Sequence, residues 1–465
     1  MTGDEFDIVV LGMGPGGEHV AGQLAQAGLE VAGVESGLVG GECPYFGCVP
    51  SKMMIRAGNL LAETRRVAGM AGRAYAEPDW APVATRIRDE ATDDWDDTVA
   101  ADRFTGQGGY LCRGTGRLAG PGSVMVTCAD GDRLLAARRG IVIASGSAPA
   151  VPPIPGLTGT PFWTNREAVK AAAAPGSLIV LGGGAIGVEF GQAFARFGTR
   201  VTVVEGQDRL LPAEEPEAGE LLAAVFRREG IATRTGVTVS AVRWTEPSGF
   251  ELALADGAVL TATRLLVATG RHIDLAAIGA GTAGIDEASP ALPVDDRMRA
   301  APGVWALGDI TGHGMFTHMS MYQARIVIAD ILGREQHAAE YRAVPKVTFT
   351  DPEIGSVGLS EAQARGLGIA VRTGMARLPA SARGWIHKAG NDGFIKLVED
   401  SAAGVLVGAT SAGPMGGEVL SMLTLAVHAQ VPVSKLRGMI YAYPTFHRAI
   451  EDALSDLAGQ AAVAQ

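Results

Sequence analysis

Residues 40 to 52 read GGECPYFGCVPSK, a Gly-flanked turn in which Cys43 and Cys48 stand with four residues between them. Two thiols this close can take up or release an electron pair by opening and closing a disulfide, and close cysteine pairs in intracellular chains usually serve redox or metal chemistry. The chain has 4 Cys in 465 residues, too few for a scaffold of staples. Zinc would want two more soft ligands nearby. Cys112 and Cys128 are isolated along the sequence, and no His lies between Cys43 and Cys48 or directly after them, so no metal is expected. A purely structural role for the thiols is the plainer alternative.

The elements that would position such a pair beside a nucleotide are written twice. Gly12, Gly14 and Gly17 follow the apolar run DIVVLG and open an Ala-rich helical pattern, and Gly182, Gly184 and Gly187 repeat the arrangement after SLIVLG, 170 residues on. Glu35 ends the strand-like LEVAGVE and Glu205 ends TRVTVVE, each 23 residues past the first glycine of its triplet. This is dinucleotide spacing. The glycines permit a tight turn and close backbone approach, the helix N-terminus faces a pyrophosphate, and the carboxylate accepts from a ribose hydroxyl. One triplet alone would read equally well as turn packing; two complete βαβ units favour two nucleotide sites.

Along the chain, residues 1–150 predict a first α/β unit in which GIVIASGSAP is a buried strand running into a turn. Pro-rich AVPPIPGL marks its boundary. Residues 151–272 predict a second unit ending in RLLVATGRHID, and 273–342 a third segment with APGVWALGDITG and a helical pattern. From 343 the alternation of VPKVTFTDPEIGSVGLS, GFIKLVED and GVLVGATSAG predicts antiparallel strands and an α+β domain. Residues 76–100 are expected to form an exposed helical segment, and the closing LAGQAAVAQ to fray. The apolar content of 47% suffices for several cores, and a net charge of -11 with no basic patch argues against nucleic acid. No apolar stretch reaches the ~20 residues of a membrane span, and the acidic start MTGDEFDIVV lacks the features of a signal peptide. A cytoplasmic protein is expected.

Taken jointly, GMGPGG, GGECPYFGCVPSK, GGGAIGVEFG, ATGR, ALGDITG and VPKVTFTDPEIGSVGLSEAQA resemble the FAD-dependent pyridine nucleotide-disulfide oxidoreductases, the family of dihydrolipoamide dehydrogenase, glutathione reductase and mercuric reductase. The resemblance spans nearly the whole chain. It implies an α/β fold with two Rossmann-like dinucleotide-binding domains plus a C-terminal α+β dimerisation domain: an FAD domain from 1–150 and 273–342, an NAD(P)H domain at 151–272, and a homodimer formed through 343–465. Gly12, Gly14, Gly17 and Glu35 would hold the ADP half of FAD, and Asp309 its ribityl or phosphate region, a helix cap being the alternative for Asp309. Gly41, Gly146 and Gly270 join the cofactor-binding residues. Lys52 resembles the family lysine beside the flavin, paired with Glu189; by themselves they read as a solvated charge and a first-turn helix acid. Gly182, Gly184, Gly187 and Glu205 would take the nicotinamide nucleotide. The Glu205 carboxylate favours NADH, with NADPH the alternative should Arg209 turn inward to meet a phosphate. Cys48 would face the flavin and Cys43 exchange with substrate, their thiol pKa lowered by a helix N-terminus and nearby positive charge.

The pattern breaks near the end. Thiol reductases of this family close with His-Pro-Thr and a following glutamate, whereas this chain reads YAYPTFHRAIEDAL, with Tyr443 in place of the histidine and Arg448 in place of the glutamate. Positioned proton transfer contributes roughly 10² to 10⁴-fold, and a phenol of pKa about 10 is poorly matched to neutral pH. His447 would stand one turn beyond Tyr443 if a helix has begun there, though an ordinary helix residue is the plainer reading. Tyr441 and Tyr443 are candidates for binding a planar or soft acceptor, for donating a proton weakly, with Tyr443 then a catalytic residue, or for packing a dimer interface. Mercuric reductase also lacks that histidine, but it carries a C-terminal cysteine pair that this sequence, ending AVAQ, does not have. Glu42, Pro44, Tyr45 and Phe46 replace a more polar run and suggest a flatter or more apolar acceptor. The readings carried forward are a dithiol oxidoreductase acting on a small disulfide, a thiol or an oxidised metal species, a quinone or dye reductase, and a non-catalytic flavoprotein scaffold.

Overall fold

Strand β1 (Asp4–Leu11) is buried over its last four residues, and an apolar strand with no polar face needs cover on both sides. In a computed structural model, which describes residues 4–463, it has that cover. Ile8 and Val10 pack with Val20, Ala21 and Leu24 of helix α1 (Pro15–Gln26), whereas Val9 and Leu11 pack with Val124, Val126 and Leu135 of an antiparallel hairpin. Each valine, leucine or isoleucine among them contributes roughly 1.5–3 kcal/mol by leaving water.

After α1 come β2 (Val31–Glu35), α2 (Glu42–Tyr45), α3 (Cys48–Arg66), β3 (Tyr110–Arg113), β4 (Thr115–Leu118), β5 (Ser123–Cys128) and β6 (Gly131–Ile143). β1 lies between β2 and β6, parallel to both; β3 continues the sheet beyond β2, and the strand Val304–Ala306 continues it beyond β6. β5 pairs antiparallel with β4 and β6. Every parallel strand thus delivers its C-terminal end to one edge, where ligand loops gather in doubly wound sheets.

The chain falls into two compact units. Described residues up to Pro50, Thr85–Ala150 and Arg271–Tyr341 form the first; Ser51–Ala84, Val151–Gly270 and the described residues from Arg342 onward form the second. Residues 51–84 therefore do not group with the segment 1–150 in which the sequence placed them. Side chains anchor them elsewhere: Arg65 donates to the carbonyl of Arg196 at 3.0 Å, and Trp80 stacks on Phe194 at 4.9 Å while its Nε1 donates to the carbonyl of Ala171 at 2.7 Å. The segment 76–100 is accordingly more than an exposed helix. Trp80, Val83 and Ile87 are buried in it.

The second unit repeats the first unit's logic. β7 (Ser177–Leu181), α4 (Ala185–Arg196), β8 (Arg200–Val204), β9 (Ala232–Arg234) and β10 (Arg264–Val267) build a parallel sheet in the order β9-β8-β7-β10. Its C-terminal part is an antiparallel sheet of β11 (Pro345–Thr348), β12 (Glu353–Gly358), β13 (Val371–Arg377), β14 (Phe394–Asp400) and β15 (Val405–Gly413), ordered β11-β12-β15-β14-β13. Helices α5 (Gly416–His428) and α6 (Ala449–Val463) follow it, and their side chains, Leu420, Leu423, Ile450 and Leu454 among them, fill one core with Leu397 and Ala409 of the sheet. α6 runs on through most of the tail expected to fray; Ala464 and Gln465 lie outside the described residues. Buried charges join the parts of this unit. Lys396 Nζ lies 3.0 Å from Glu215 and 2.7 Å from Glu217, and Arg196, 2% exposed, pairs with Glu229 and Asp351 at 2.7 and 2.8 Å. Among the described residues no helix is long and apolar enough to cross a membrane.

Candidate active site

The two glycine triplets have nearly superposable stereochemistry. Gly12 (φ +98°) and Gly182 (φ +111°) let the chain turn where a Cβ would fall 2.4 Å from the Ala144 carbonyl oxygen and 2.3 Å from that of Ala268. A Cβ on Gly17 or Gly187 would stand 2.0 Å from the carbonyl oxygen of Gly12 or Gly182. Gly14 and Gly184 differ in kind: both are extended N-caps, of α1 and α4, with no side-chain cap and nothing within 4 Å of where a Cβ would point. Uncapped helix N–H groups behind an open backbone fit a pyrophosphate.

Each strand-end carboxylate fastens its own loop. Glu35 accepts from the N–H groups of Met13 (2.8 Å) and Gly37 (2.7 Å), and Glu205 from those of Gly183 (2.6 Å) and Gln207 (2.7 Å). A carboxylate has about four lone-pair directions, so two bonds leave acceptor capacity for a ribose. Asp97, ion-paired to Arg113 at 2.6 Å, accepts from the N–H of Val39 at 2.6 Å and secures the chain after β2.

The cysteine turn leans on the first glycine loop. Gly40 donates to the carbonyl of Met13 at 2.7 Å, and a Cβ on Gly41 (φ +65°) would lie 2.8 Å from the Cα of Gly14. Cys43 is half-buried in α2, and Cys48, exposed, is the first residue of α3, where a helix N-terminus favours negative charge. The Cys48 sulfur lies 3.4 Å from Thr317 Oγ1, and all four cysteines are free thiols. The lowered Cys43 pKa expected from the resemblance is not found: its hydrogen bond with the Cys48 thiol, and then burial, push it up, against a smaller opposing effect of the Thr317 hydroxyl. A thiol raised in the folded state stabilises the fold fully below its unfolded value of about 8.5, and that contribution fades as pH climbs above it. The reduced protein should therefore be alkylated by iodoacetamide at Cys43 ever faster above pH ~8.5, with no plateau near neutrality; peptide masses across a pH series would show this, and saturation by pH 7 would refute it. One of the two aromatics of the turn is turned inward. Tyr45 is buried, and its carbonyl accepts from Trp95 Nε1 at 3.1 Å.

Asp309 does not cap its short helical turn. Gly308 is the N-cap, and the Asp309 carboxylate accepts instead from Ser147 Oγ at 2.5 Å. Arg271 Nε donates to Ser147 Oγ at 2.6 Å and lies 3.4 Å from Asp309. Ser147, Arg271 and Thr317 join the candidate site by these contacts, and the sequence reading misses all three. Ser147 and Arg271 directly follow Gly146 (φ +70°) and Gly270 (φ +118°) in turns after strands, which is the one signal that marks them; Thr317 opens a helix with no motif of its own.

In the second unit Lys52 and Glu189 meet as an ion pair of 2.8 Å, with Glu189 6% exposed and also accepting from the N–H of Phe349 at 2.8 Å. Lys52 Nζ lies 4.7 Å over the Phe349 ring. Replacing Glu189 with Ala should cost about 1–3 kcal/mol, because the Phe349 N–H is left without its acceptor while the Lys52 ammonium is partly solvated. Gln should recover part of the loss; urea midpoints at constant m-value would measure both.

Tyr443 is 69% exposed, with the Arg448 guanidinium 5.5 Å from its ring and also 3.2 Å from Glu451. α6 begins only at Ala449, so His447 is not one helical turn from Tyr443; its ring lies 6.2 Å from that of Tyr441. Tyr441 is buried and donates to the carbonyl of Leu436 at 2.9 Å, which removes it as a surface for an acceptor. Among the described residues no group of three or more His, Cys, Asp or Glu is placed to hold a metal.

Residues 6–324 match the pyridine nucleotide-disulphide oxidoreductase family, and residues 344–454 match its dimerisation domain. The chain belongs to the pyridine nucleotide-disulphide oxidoreductases. It is 32% identical over 461 residues to the dihydrolipoyl dehydrogenase of Chlorobaculum tepidum, covering 97% of each chain. It is also 32% identical over 448 residues to the mercuric reductase of Acidithiobacillus ferrooxidans, covering 95% of this chain and 81% of that one. The fold matches the Cu(II) complex of the HOCl-induced flavoprotein disulfide reductase RclA from Escherichia coli with a TM-score of 0.85 at 27% identity, over 97% of this chain and 99% of that one. Membership makes this oxidoreductase an FAD flavoprotein enzyme that uses NAD(P)H and a disulfide redox centre. Its dimerisation domain points to a homodimer.

Proposed function

We propose that this oxidoreductase is NADH-linked and passes electrons through Cys43 and Cys48 to a small acceptor, a disulfide or an oxidised metal species. The observation that carries the proposal is the cysteine turn fastened to the first glycine loop through Gly40 and Gly41, with Thr317 against the Cys48 sulfur. Gly12, Gly14, Gly17, Glu35 and Asp309 would hold FAD, which when bound supplies hydride acceptance from nicotinamide and two-electron exchange with a thiol pair. Gly182, Gly184, Gly187 and Glu205 would hold the pyridine nucleotide. Glu205 favours a free ribose hydroxyl over a phosphate by charge, and Arg209 is engaged elsewhere, by Asp208 at 3.2 Å and the Pro212 carbonyl at 3.0 Å.

Lys52 follows Cys48 by one turn of α3, so both project from the same helix face, and Glu189 fixes the ammonium in place. With a disulfide acceptor, the Cys43 thiolate attacks one sulfur and releases the other half as a thiol. Cys48 then attacks Cys43, the second half leaves as a thiol, and the Cys43–Cys48 bond has formed. The Thr317 hydroxyl can donate to whichever sulfur is negative. No His-Glu dyad stands at the C-terminal end, since Tyr443 faces Arg448, and this favours acceptors that need little protonation. That observation supports the second reading, a quinone or dye reductase. With a mercuric reductase and a copper complex of RclA among the relatives, Hg(II) and Cu(II) join the acceptors to test.

The deciding experiment is an anaerobic titration of the purified flavoprotein with NADH and with NADPH, followed by assays with lipoamide, glutathione disulfide, a quinone, Hg(II) and Cu(II). Uptake of two electron pairs with a long-wavelength thiolate-to-flavin band, at lower NADH than NADPH, is the expected result. Bleaching after one pair with quinone turnover alone selects the second reading, and no bleaching by either nucleotide overturns both.

A further inference from the structure

Cys112 and Cys128, isolated in the sequence, meet in the first unit with their sulfurs 3.9 Å apart. Cys112 lies on β3 and Cys128 ends β5, and both pack on the cluster containing Val124, Val126 and Leu135. Closing the gap to a disulfide of about 2.05 Å requires the sulfurs to approach by roughly 2 Å, a displacement of side chains. We propose that Cys112 and Cys128 form a second dithiol, one that a peroxide closes to a disulfide, separate from the Cys43 and Cys48 pair.

The two sulfurs differ in the way such a reaction needs. Cys112 is 3% exposed, whereas Cys128 is half-buried at the turn from β5 into β6, where peroxide reaches it first. Burial, and then the neighbouring Cys128 thiol, push Cys112 up to about 11, so it waits as a thiol. Arg133, held by Asp130 at 2.6 Å and by the Tyr110 hydroxyl at 3.0 Å, supplies positive charge near the pair, against a smaller opposing effect of Asp4. The Cys128 thiolate attacks one peroxide oxygen, the O–O bond breaks, and a sulfenic acid forms with release of water. The Cys112 sulfur then displaces that hydroxyl as a second water, and the S–S bond forms. Two thiol hydrogens and two electrons pass to hydrogen peroxide, and a dithiol reductant restores the pair. The new bond would tie β5 to β3, whose Cys112 is in register with Val34, next to Glu35 on β2.

The test uses the Cys43→Ser/Cys48→Ser protein, which leaves only this pair, exposed to excess hydrogen peroxide, then denatured, titrated for thiols and mapped by peptide mass. Both thiols should disappear together, giving one cross-linked peptide pair lighter by two hydrogens and separable by dithiothreitol. Adding Cys128→Ser should slow the loss of the buried Cys112 thiol by at least about tenfold. Two surviving thiols, or Cys128 oxidised to sulfinic acid beside a free Cys112, would overturn the proposal. Should the double variant not fold, the same peptides mapped in the unsubstituted protein decide the matter equally well, since the two pairs yield different cross-links. This outcome does not depend on the identity of the acceptor at Cys43.

Discussion

Substituting Cys43 with Ser should reduce turnover of a small disulfide by on the order of 10³-fold or more, while the protein stays yellow and is still reduced by NADH. A serine hydroxyl is not ionised near neutrality and cannot exchange with sulfur, so the covalent step has no substitute. Cys48→Ser should be as damaging for a different reason: Cys43 can still attack, but nothing resolves the mixed disulfide, and a covalently modified enzyme should accumulate in the mass spectrum. Neither change should disturb the glycine loops, because Gly40 meets Met13, and Gly41 meets Gly14, through backbone atoms. Steady-state assays beside a quinone control would measure the effect. If both variants keep disulfide turnover within tenfold of the parent, the thiols are not on the path.

The second large effect separates the two nucleotide sites. Ala at Gly17 would place a methyl 2.0 Å from the Gly12 carbonyl oxygen, and Ala at Gly187 would do the same against Gly182. Overlap with backbone cannot be relieved by a rotamer change, so each loop must open, at a cost above the roughly 1–3 kcal/mol of ordinary overpacking. Gly17→Ala should yield protein with little bound flavin. Gly187→Ala should keep the flavin yet be poorly reduced by NADH. Gly184→Ala is the control for binding without strain: its backbone is extended and the space beyond is open, so melting should not change while NADH binding weakens. The ratio of flavin to protein absorbance, with anaerobic reduction rates, would test all three. Loss of flavin from Gly187→Ala would show that the sites are not assigned as proposed.

The parts of the fold that can be read from the sequence are those where one residue type answers to one constraint. DIVVLG and SLIVLG are apolar at nearly every position because each strand is covered on both faces, and Gly12, Gly17, Gly182 and Gly187 are dictated by carbonyl oxygens 2.0–2.4 Å from any added carbon. The pairing of Lys52 with Glu189 follows from the resemblance and is a contact of 2.8 Å. What stays hidden depends on three-dimensional neighbours that no spacing encodes. Thr317 meets a sulfur 269 positions earlier in the chain, Ser147 and Arg271 meet at Asp309, and Cys112 meets Cys128 only because β3 and β5 pack on one cluster. The expectation of a lowered Cys43 pKa fails because the spacing shows two neighbouring thiols but not that the folded turn hydrogen-bonds one to the other and buries Cys43, both of which push it up. The condition that would have set His447 one turn beyond Tyr443 is not met, because α6 starts two residues later.

The paired bonds of Glu35 and Glu205 carry a consequence for any attempt to change nucleotide preference. Because Glu205 clasps the N–H of Gly183, the group that would discriminate between ribose and phosphate also keeps the second glycine loop in shape before a ligand arrives. Exchanging it for a neutral or basic residue would unfasten that loop along with the charge. A redesign toward the phosphorylated nucleotide therefore needs a replacement clasp for Gly183, without which relaxed selectivity would come with weaker binding of both forms.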